Sequence, residues 1–317
     1  MKVKYLGQKK RKVLVTGGTG FVGNSLCSLI KNESDCKLYV VGKPKENDPY
    51  CDVLWYYTNF LDEIEWKKLK NLSLLFHLAA NNDTLDQDED YMMEANVYAP
   101  MRMFQKALKA GCRHFVYASS TAVYGNQPAP YTYKTQLDPL TPYARSKAKF
   151  EQFAALFAEA NDVMVTGLRF CNIYGPGESH KGHRASMIYQ IFQSFQQHKN
   201  VKLFKDGEQK RCWLYVTDAA KALWQAQDRL GDLHMIFNIG SPESVSFNYL
   251  VERVRNWYDR SLVSVEYIEN PNSSAYQTHT ECDIQPANEF LNWKPMYSVD
   301  DGIVQAFNAE WFTLSRM

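Results

Sequence analysis

The sequence predicts an α/β fold, a doubly wound parallel sheet with a smaller α/β lobe. Three observations carry this. Short β-branched runs alternate with amphipathic helical stretches from Lys12 to Phe170, the pattern of parallel strands joined by crossover helices. Glycines at 17, 20 and 23 follow the first strand and open the first helix, an arrangement that lets backbone approach a dinucleotide pyrophosphate. The chain has 317 residues, 45% of them hydrophobic, enough for one large domain and a lobe.

The first strand, Lys12-Val-Leu-Val-Thr16, runs into the glycine turn and then a helix with Leu26, Leu29 and Ile30 on one face. The helix N-terminus stabilises an anion. Gly17, Gly20, Phe21, Val22 and Gly23 therefore form the candidate cofactor loop. Lys37–Val41 is the second strand, whose end ordinarily meets the adenosine ribose, with an acid there favouring NAD and a base NADP. Lys43 and Lys45 follow and Glu46 is the first acid, so NADP is expected, with NAD as the alternative. Leu74–Ala80 reads as a buried strand whose small terminal residues, Ala79 among them, make room for the dinucleotide. A helix from about Tyr91 carries the apolar stripe Val97, Met101, Phe104 and Leu108, with Asn96 as a polar candidate.

Phe115–Gly125 reads as a buried strand running into a turn, with hydroxyls at Ser119, Ser120 and Thr121, one of which suits a substrate alcohol. Thr141 is an N-cap and Pro142 a first helical residue, so Tyr143 and Lys147, four apart, share one helix face. An ammonium beside a phenol favours its ionised form, and this spacing predicts Tyr143 as an acid/base with Lys147 lowering its pKa. Val163–Phe170 is a further strand. Residues 1–170 are expected to form mainly the dinucleotide domain and 171–317 mainly the lobe, with 217–245 returning to the large sheet. In the second part, Cys171–Gly177 reads as a turn and Glu178–Arg184 as a polar loop. Val201–Phe204 and Cys212–Val216 are strands with Arg211 between them, followed by helices near Ser246–Trp257 and Ser298–Phe312 and a strand over Val263–Ile268.

A net charge of +1 gives no electrostatic case for nucleic acid or an anionic membrane. Seven scattered cysteines without a CxxC pair fit reduced thiols in a cytoplasm and suggest no metal site. No apolar run reaches transmembrane length, and no signal-peptide core precedes the first strand.

With the glycine loop, Ser120, Tyr143 and Lys147 in this order, and with Tyr124-Gly125, Asn172-Ile-Tyr-Gly-Pro176, Val216-Thr-Asp218 and Phe237-Asn-Ile-Gly240, the chain resembles the extended short-chain dehydrogenase/reductase superfamily over nearly its whole length. The resemblance implies a Rossmann-type sheet with a substrate lobe, Tyr143 as acid/base, Lys147 orienting the nicotinamide ribose and Ser120 holding substrate. Within it, Tyr91-Met-Met-Glu-Ala-Asn96, His180-Lys-Gly182, Ala185-Ser186, Lys210-Arg211 and Tyr276-Gln277 resemble the ADP-glyceromanno-heptose 6-epimerase family. That likeness implies NADP, oxidation of a nucleotide sugar at C6 and reduction on the opposite face. Inversion of this kind needs a proton carrier on each face, and Lys181 matches the second one. His180 and Ile173 match cofactor neighbours, while Asn172, Arg211 and Tyr276 match substrate contacts; a guanidinium suits pyrophosphate on its own chemistry.

The chain departs from that family at three places. Gly42 and Lys43 stand where it has an acid or asparagine, His183 and Arg184 where it has serine and methionine, and Cys212-Trp213 where it has aspartate and phenylalanine. His183 joins the substrate candidates, because a change there alters the sugar or nucleotide accepted. Two other readings compete: a UDP-sugar 4-epimerase that rotates the sugar past one tyrosine, and a dinucleotide sensor without turnover, for which Ser120, Tyr143 and Lys147 would be superfluous. A 4,6-dehydratase fits less well, since Thr121-Ala122 follow Ser120 in place of acids. A homo-oligomer is the expected assembly.

Overall fold

A computed structural model describes residues 10–42, 54–55, 66–258, 263–270 and 276–311. Its large sheet starts with β1 (Lys12–Thr16), followed by α1 (Phe21–Glu33), β2 (Lys37–Val41), the two-residue β3 (Leu54–Trp55) and β4 (Leu72–His77). Next come α2 (Glu89–Met93), a π-helical turn over Glu94–Tyr98, α3 (Ala99–Lys109), β5 (His114–Ser120), α4 (Pro142–Asn161) and β6 (Met164–Phe170). Both faces of these strands are covered, so they are apolar on successive residues and not on alternate ones. In β1, Val13, Leu14 and Val15 are all buried.

Beyond β6 the chain forms β7 (Asn172–Tyr174), α5 (Met187–Gln196), β8 (Val201–Phe204) and β9 (Lys210–Tyr215). Then α6 (Val216–Ala226) packs on α1, and β10 (His234–Ile239) pairs in parallel with β6. The chain ends through β11 (Ser244–Ser246), α7 (Phe247–Arg255), β12 (Val265–Ile268), α8 (Gln285–Leu291) and α9 (Val299–Ala306).

The large sheet is parallel, in the order β10-β6-β5-β4-β1-β2-β3. From β1 the chain builds outward through β2 and β3, then crosses back to β4 and builds the other way. That reversal opens a crevice outside the carboxyl ends of β1 and β4, the position where open α/β sheets bind ligands. One core layer joins Val13, Val15, Leu26 and Ile30 to Ala219, Ala220 and Leu223 of α6. The opposite layer packs Leu14, Leu75 and Phe115 on Phe104, Phe150 and Phe157 of α3 and α4. A third cluster, with Ile188, Phe192, Leu250 and Ile303, is the core of the smaller lobe.

The α/β class expected from the sequence is therefore the observed one. Local differences are informative. Cys171–Gly177, expected as a turn, contains β7, which pairs with β9. Arg211 lies inside β9 and not between strands. Within the expected loop Glu178–Arg184, Ser179–Arg184 is a pair of 3₁₀ turns broken at Gly182, whose φ is 57°. Pairing with distant residues makes the strands β7 and β9, whereas the 3₁₀ turns are closed locally, as by the Lys181 amide on the Glu178 carbonyl at 2.9 Å.

Candidate active site

The glycine loop closes as its spacing predicts. Gly17 has φ of 70°, and a Cβ there would meet the Ala79 backbone nitrogen at 2.7 Å. A Cβ on Gly23 would lie 2.1 Å from the Gly17 carbonyl oxygen. Neither site tolerates a side chain, because backbone packs directly on backbone there. Gly20 caps α1 without any side-chain hydrogen bond, and no acid occupies the first turn, so the opening N–H groups face the crevice with positive polarity. These features fit the pyrophosphate of a dinucleotide. Thr16 accompanies the loop: its hydroxyl bonds His77 Nδ1 at 2.8 Å, and the Leu78 amide donates to its carbonyl at 3.0 Å. Lys43 lies outside the described residues, as does Lys45.

Tyr143 is set by the start of α4, where the Thr141 hydroxyl accepts from the Ala144 amide at 3.1 Å and Pro142 takes the first helical position. Ser120 ends β5, its hydroxyl accepting from the Ala122 amide at 3.2 Å. Burial raises the Tyr143 phenol above its ordinary 10, and a hydrogen bond with Ser120 draws it partly back. Burial outweighs the expected lowering by Lys147, whose ammonium is engaged by a carbonyl of β5. Its ammonium donates to the Ala118 carbonyl at 2.9 Å while lying 5.7 Å from the Tyr143 ring centre. Burial pulls Lys147 down to about 8, against the opposing pull of Glu151.

Asn96 is buried in the π-helical turn. It braces the crevice from behind: its Oδ1 accepts from the Asn81 amide at 2.8 Å, and its Nδ2 faces the Asn81 carbonyl at 2.9 Å and Ser146 Oγ at 3.0 Å. Ser146 Oγ in turn donates to the Tyr143 carbonyl at 2.8 Å. The segment after β4 is thus tied to the helix that carries Tyr143.

Lys181 approaches from the β1 side. Its ammonium sits 4.6 Å above the Phe21 ring and 3.1 Å from Glu178 Oε2, and its side chain is 15% exposed. No hydrogen bond among the described residues joins it to Tyr143, Ser120 or Lys147. His180 is exposed. His183, a substrate candidate from the sequence, has its side chain 61% exposed and pairs with Asp83 Oδ2 at 2.9 Å, while Arg184 Nη1 donates to Asn82 Oδ1 at 3.3 Å. Those two residues strap the turn to the segment that follows β4.

The lobe contributes Asn172 and Ile173 on partly buried β7, where the chain passes from the large sheet to the small one. Arg211 is buried, with its guanidinium 4.9 Å from the Tyr276 ring centre and 5.5 Å from that of Phe247. It donates to the Lys210 carbonyl at 2.9 Å, and no carboxylate pairs with it among the described residues. Burial lowers its pKa, opposed by Tyr276 and Tyr131.

Sequence reasoning passed over three residues that organise the site. Glu178 is fully buried and gathers the Lys181 turn. Asp83 holds His183. Gln277 ties the Tyr276 segment to the turn after Ser120 by donating to the Gly125 carbonyl at 2.8 Å. The signal for Glu178 was present, an acid three residues before Lys181 behind a Gly-Pro-Gly turn.

Residues 13–240 match the NAD dependent epimerase/dehydratase family. An ADP-L-glycero-D-manno-heptose-6-epimerase of Alkalilimnicola ehrlichii is 30% identical over 86% of this chain and 89% of its own. The crystal structure of the Helicobacter pylori ADP-L-glycero-D-manno-heptose-6-epimerase superposes with a TM-score of 0.82 at 27% identity, covering 96% of this chain and 98% of that one. A UDP-glucose 4-epimerase of Thermotoga maritima with UDP-glucose shares the fold, with a TM-score of 0.84 at 24% identity over 96% of this chain and all of its own (100%).

Proposed function

We propose, for a chain that belongs to the NAD dependent epimerase/dehydratase family, that it inverts C6 of an ADP-glycero-manno-heptose. The dinucleotide would lie on Gly17, Gly20, Phe21, Val22 and Gly23, against Ala79, with Lys147, Ile173 and His180 along it. It supplies, when bound, a hydride acceptor and donor at one sugar carbon. NADP is the form we assign, from Lys43 and Lys45.

The chain's own residues have separate tasks. Ser120 holds the sugar hydroxyl against Tyr143, whose phenolic oxygen exchanges a proton with the sugar oxygen on one face. Lys181 carries the proton on the other. Arg211 neutralises the diphosphate, stacked between Tyr276 and Phe247. Asn172 orients the sugar, and the strap of His183 and Arg184 bounds the sugar end.

One observation supports the reading: two proton-bearing side chains lie against different parts of the fold that borders the glycine loop. Tyr143 comes from the β5 side, paired with Ser120, and Lys181 from the β1 side, above Phe21. Arg211 adds support, because a buried guanidinium without a carboxylate suits an anion from outside the chain. The second reading, C4 epimerisation of a UDP-sugar with Tyr143 alone, draws on the engagement of Lys181 with Glu178.

The test is to incubate the protein with ADP-D-glycero-D-manno-heptose and follow the C6 configuration by NMR. We expect C6 inversion, with Tyr143→Phe and Lys181→Ala each lowering kcat by about 10²–10⁴-fold. C4 inversion of a UDP-sugar without any effect on the heptose would overturn the assignment. Extraction of NAD from the purified protein would overturn the NADP form alone.

A further inference from the structure

We infer that Glu178 is the positioning residue for Lys181, holding its ammonium on the β1 side of the crevice before substrate arrives; this rests on the reading of Lys181 as the second proton carrier. Glu178 has 0% exposure, and an unpaired carboxylate at such depth is costly. Both of its oxygens are occupied. Oε1 accepts from the Gly175 amide at 3.1 Å and the Ser186 hydroxyl at 2.8 Å. Oε2 accepts from the Ser186 amide at 2.6 Å and the Lys181 ammonium at 3.1 Å.

Three of these four donors are neutral, and a glutamine carbonyl would serve some of them without burying a charge. The carboxylate has a rationale only through the fourth, the cation. The local winding delivers it, since the Lys181 amide donates to the Glu178 carbonyl at 2.9 Å and stacks the two side chains three residues apart. On its other side the ammonium meets the Phe21 ring at 4.6 Å, a cation–π contact. A flexible lysine is thus held at two points. Ser186 completes the clamp, because its hydroxyl also accepts from the Tyr189 amide at 3.2 Å and caps α5, so Glu178 is anchored to a helix as well as to a turn.

The consequence for the reaction lies in geometry. When Lys181 gives up its proton, one N–H bond breaks, one O–H bond forms on the sugar oxygen, and the neutral amine stays beside the same carboxylate, in place to be protonated again from water. Orientation of this kind appears in kcat more than in KM.

The test uses the full chain and the variants Glu178→Gln, Glu178→Asp, Ser186→Ala and Lys181→Ala. Trace acetic anhydride at pH 8, with mass spectrometry of the peptide bearing Lys181, reads how firmly the amine is held and needs no sugar. Labelling is expected to rise about threefold or more in E178Q, the worth of a modest ion pair, to stay at the wild-type level in E178D, and to rise less in S186A, which keeps the Ser186 amide on Glu178. With the heptose substrate, E178Q is expected to lose about tenfold in kcat with KM within about twofold, and E178D to recover most of it. Unchanged labelling in E178Q, an equal rise in S186A, or equal kcat losses in E178Q and E178D would each overturn the assignment. Full activity of K181A would overturn the catalytic reading of Lys181, and the labelling would still decide whether Glu178 holds it.

Discussion

Lys147 and His77 show how one buried region supports a single positive charge. Both are enclosed, and burial disfavours the charged form of each. Lys147 falls to about 8, while His77 is pushed down to about 3 by burial and then by the positive charge of Lys147. At neutral pH the lysine keeps its charge and the imidazole stays neutral, bonded to the Thr16 hydroxyl under the glycine loop. The sign of the pH dependence follows. The unfolded ring takes up a proton near 6.5, whereas the native one resists until about 3, so the native state loses stability as the pH falls through that window. The loss is about 2 kcal/mol at pH 5 relative to neutral pH. His77→Asn keeps an atom for Thr16 but cannot titrate; its stability by urea unfolding is expected to start lower, for want of ring packing, and to fall less between pH 7 and 5. An unchanged slope would mean that His77 is not what makes the fold acid-sensitive.

The helix bearing Tyr143 is held from beneath by a buried ion pair. Glu151 of α4 receives Arg169 of β6 through Nε at 3.0 Å and Nη2 at 2.6 Å, and the Ser119 hydroxyl of β5 at 2.5 Å. Arg169 also donates to the Tyr124 hydroxyl at 2.8 Å, which donates to Asn238 Oδ1 at 2.7 Å. Five segments meet in one network: α4, β5, the turn that holds Tyr124, β6 and β10. Removing one charge strands the other, so Glu151→Gln is expected to cost about 3–5 kcal/mol in chemical unfolding, and Glu151→Leu with Arg169→Met together less than either alone. A cost below about 1 kcal/mol for E151Q would reduce the pair to ordinary packing. At this scale the sequence was readable only where cause was local. Thr141, Pro142, Tyr143 and Lys147 lie within seven residues, and the cap and helix face follow from them. Glu151 finds Arg169 across a strand and Asn96 finds Asn81 across a turn, pairings no local pattern reveals; the bond from Lys147 to a carbonyl of β5 is equally invisible there, although the nearness of Lys147 to the Tyr143 ring follows from their spacing.

Strands enclosed on both faces announce themselves, as Leu72–His77 does, whereas β3, β7 and β11, of two or three residues, exist only through their pairing. The whole molecule depends on that distinction, because the chain leaves the large sheet after Phe170 and comes back. β10 covers the β6 edge along its length, from His234 beside Val165 to Ile239 beside Phe170. α6 lays Ala219, Ala220, Leu223 and Ala226 into the layer that also holds Leu26 and Ile30 of α1. A fragment ending at residue 170 would keep the glycine loop but expose this layer and an unpaired edge. Each large apolar side chain uncovered forfeits about 1.5–3 kcal/mol, and Leu26, Ile30, Leu168 and Phe170 of this layer together would consume much of a typical total of about 5–15 kcal/mol. The fragment 1–170 is therefore expected to be aggregated or without near-ultraviolet circular dichroism, while the full chain melts in one transition seen alike by near- and far-ultraviolet signals. A soluble fragment with a cooperative melt would show that the large sheet stands without its returning strand and helix, and the lobe would then be an addition to a finished domain.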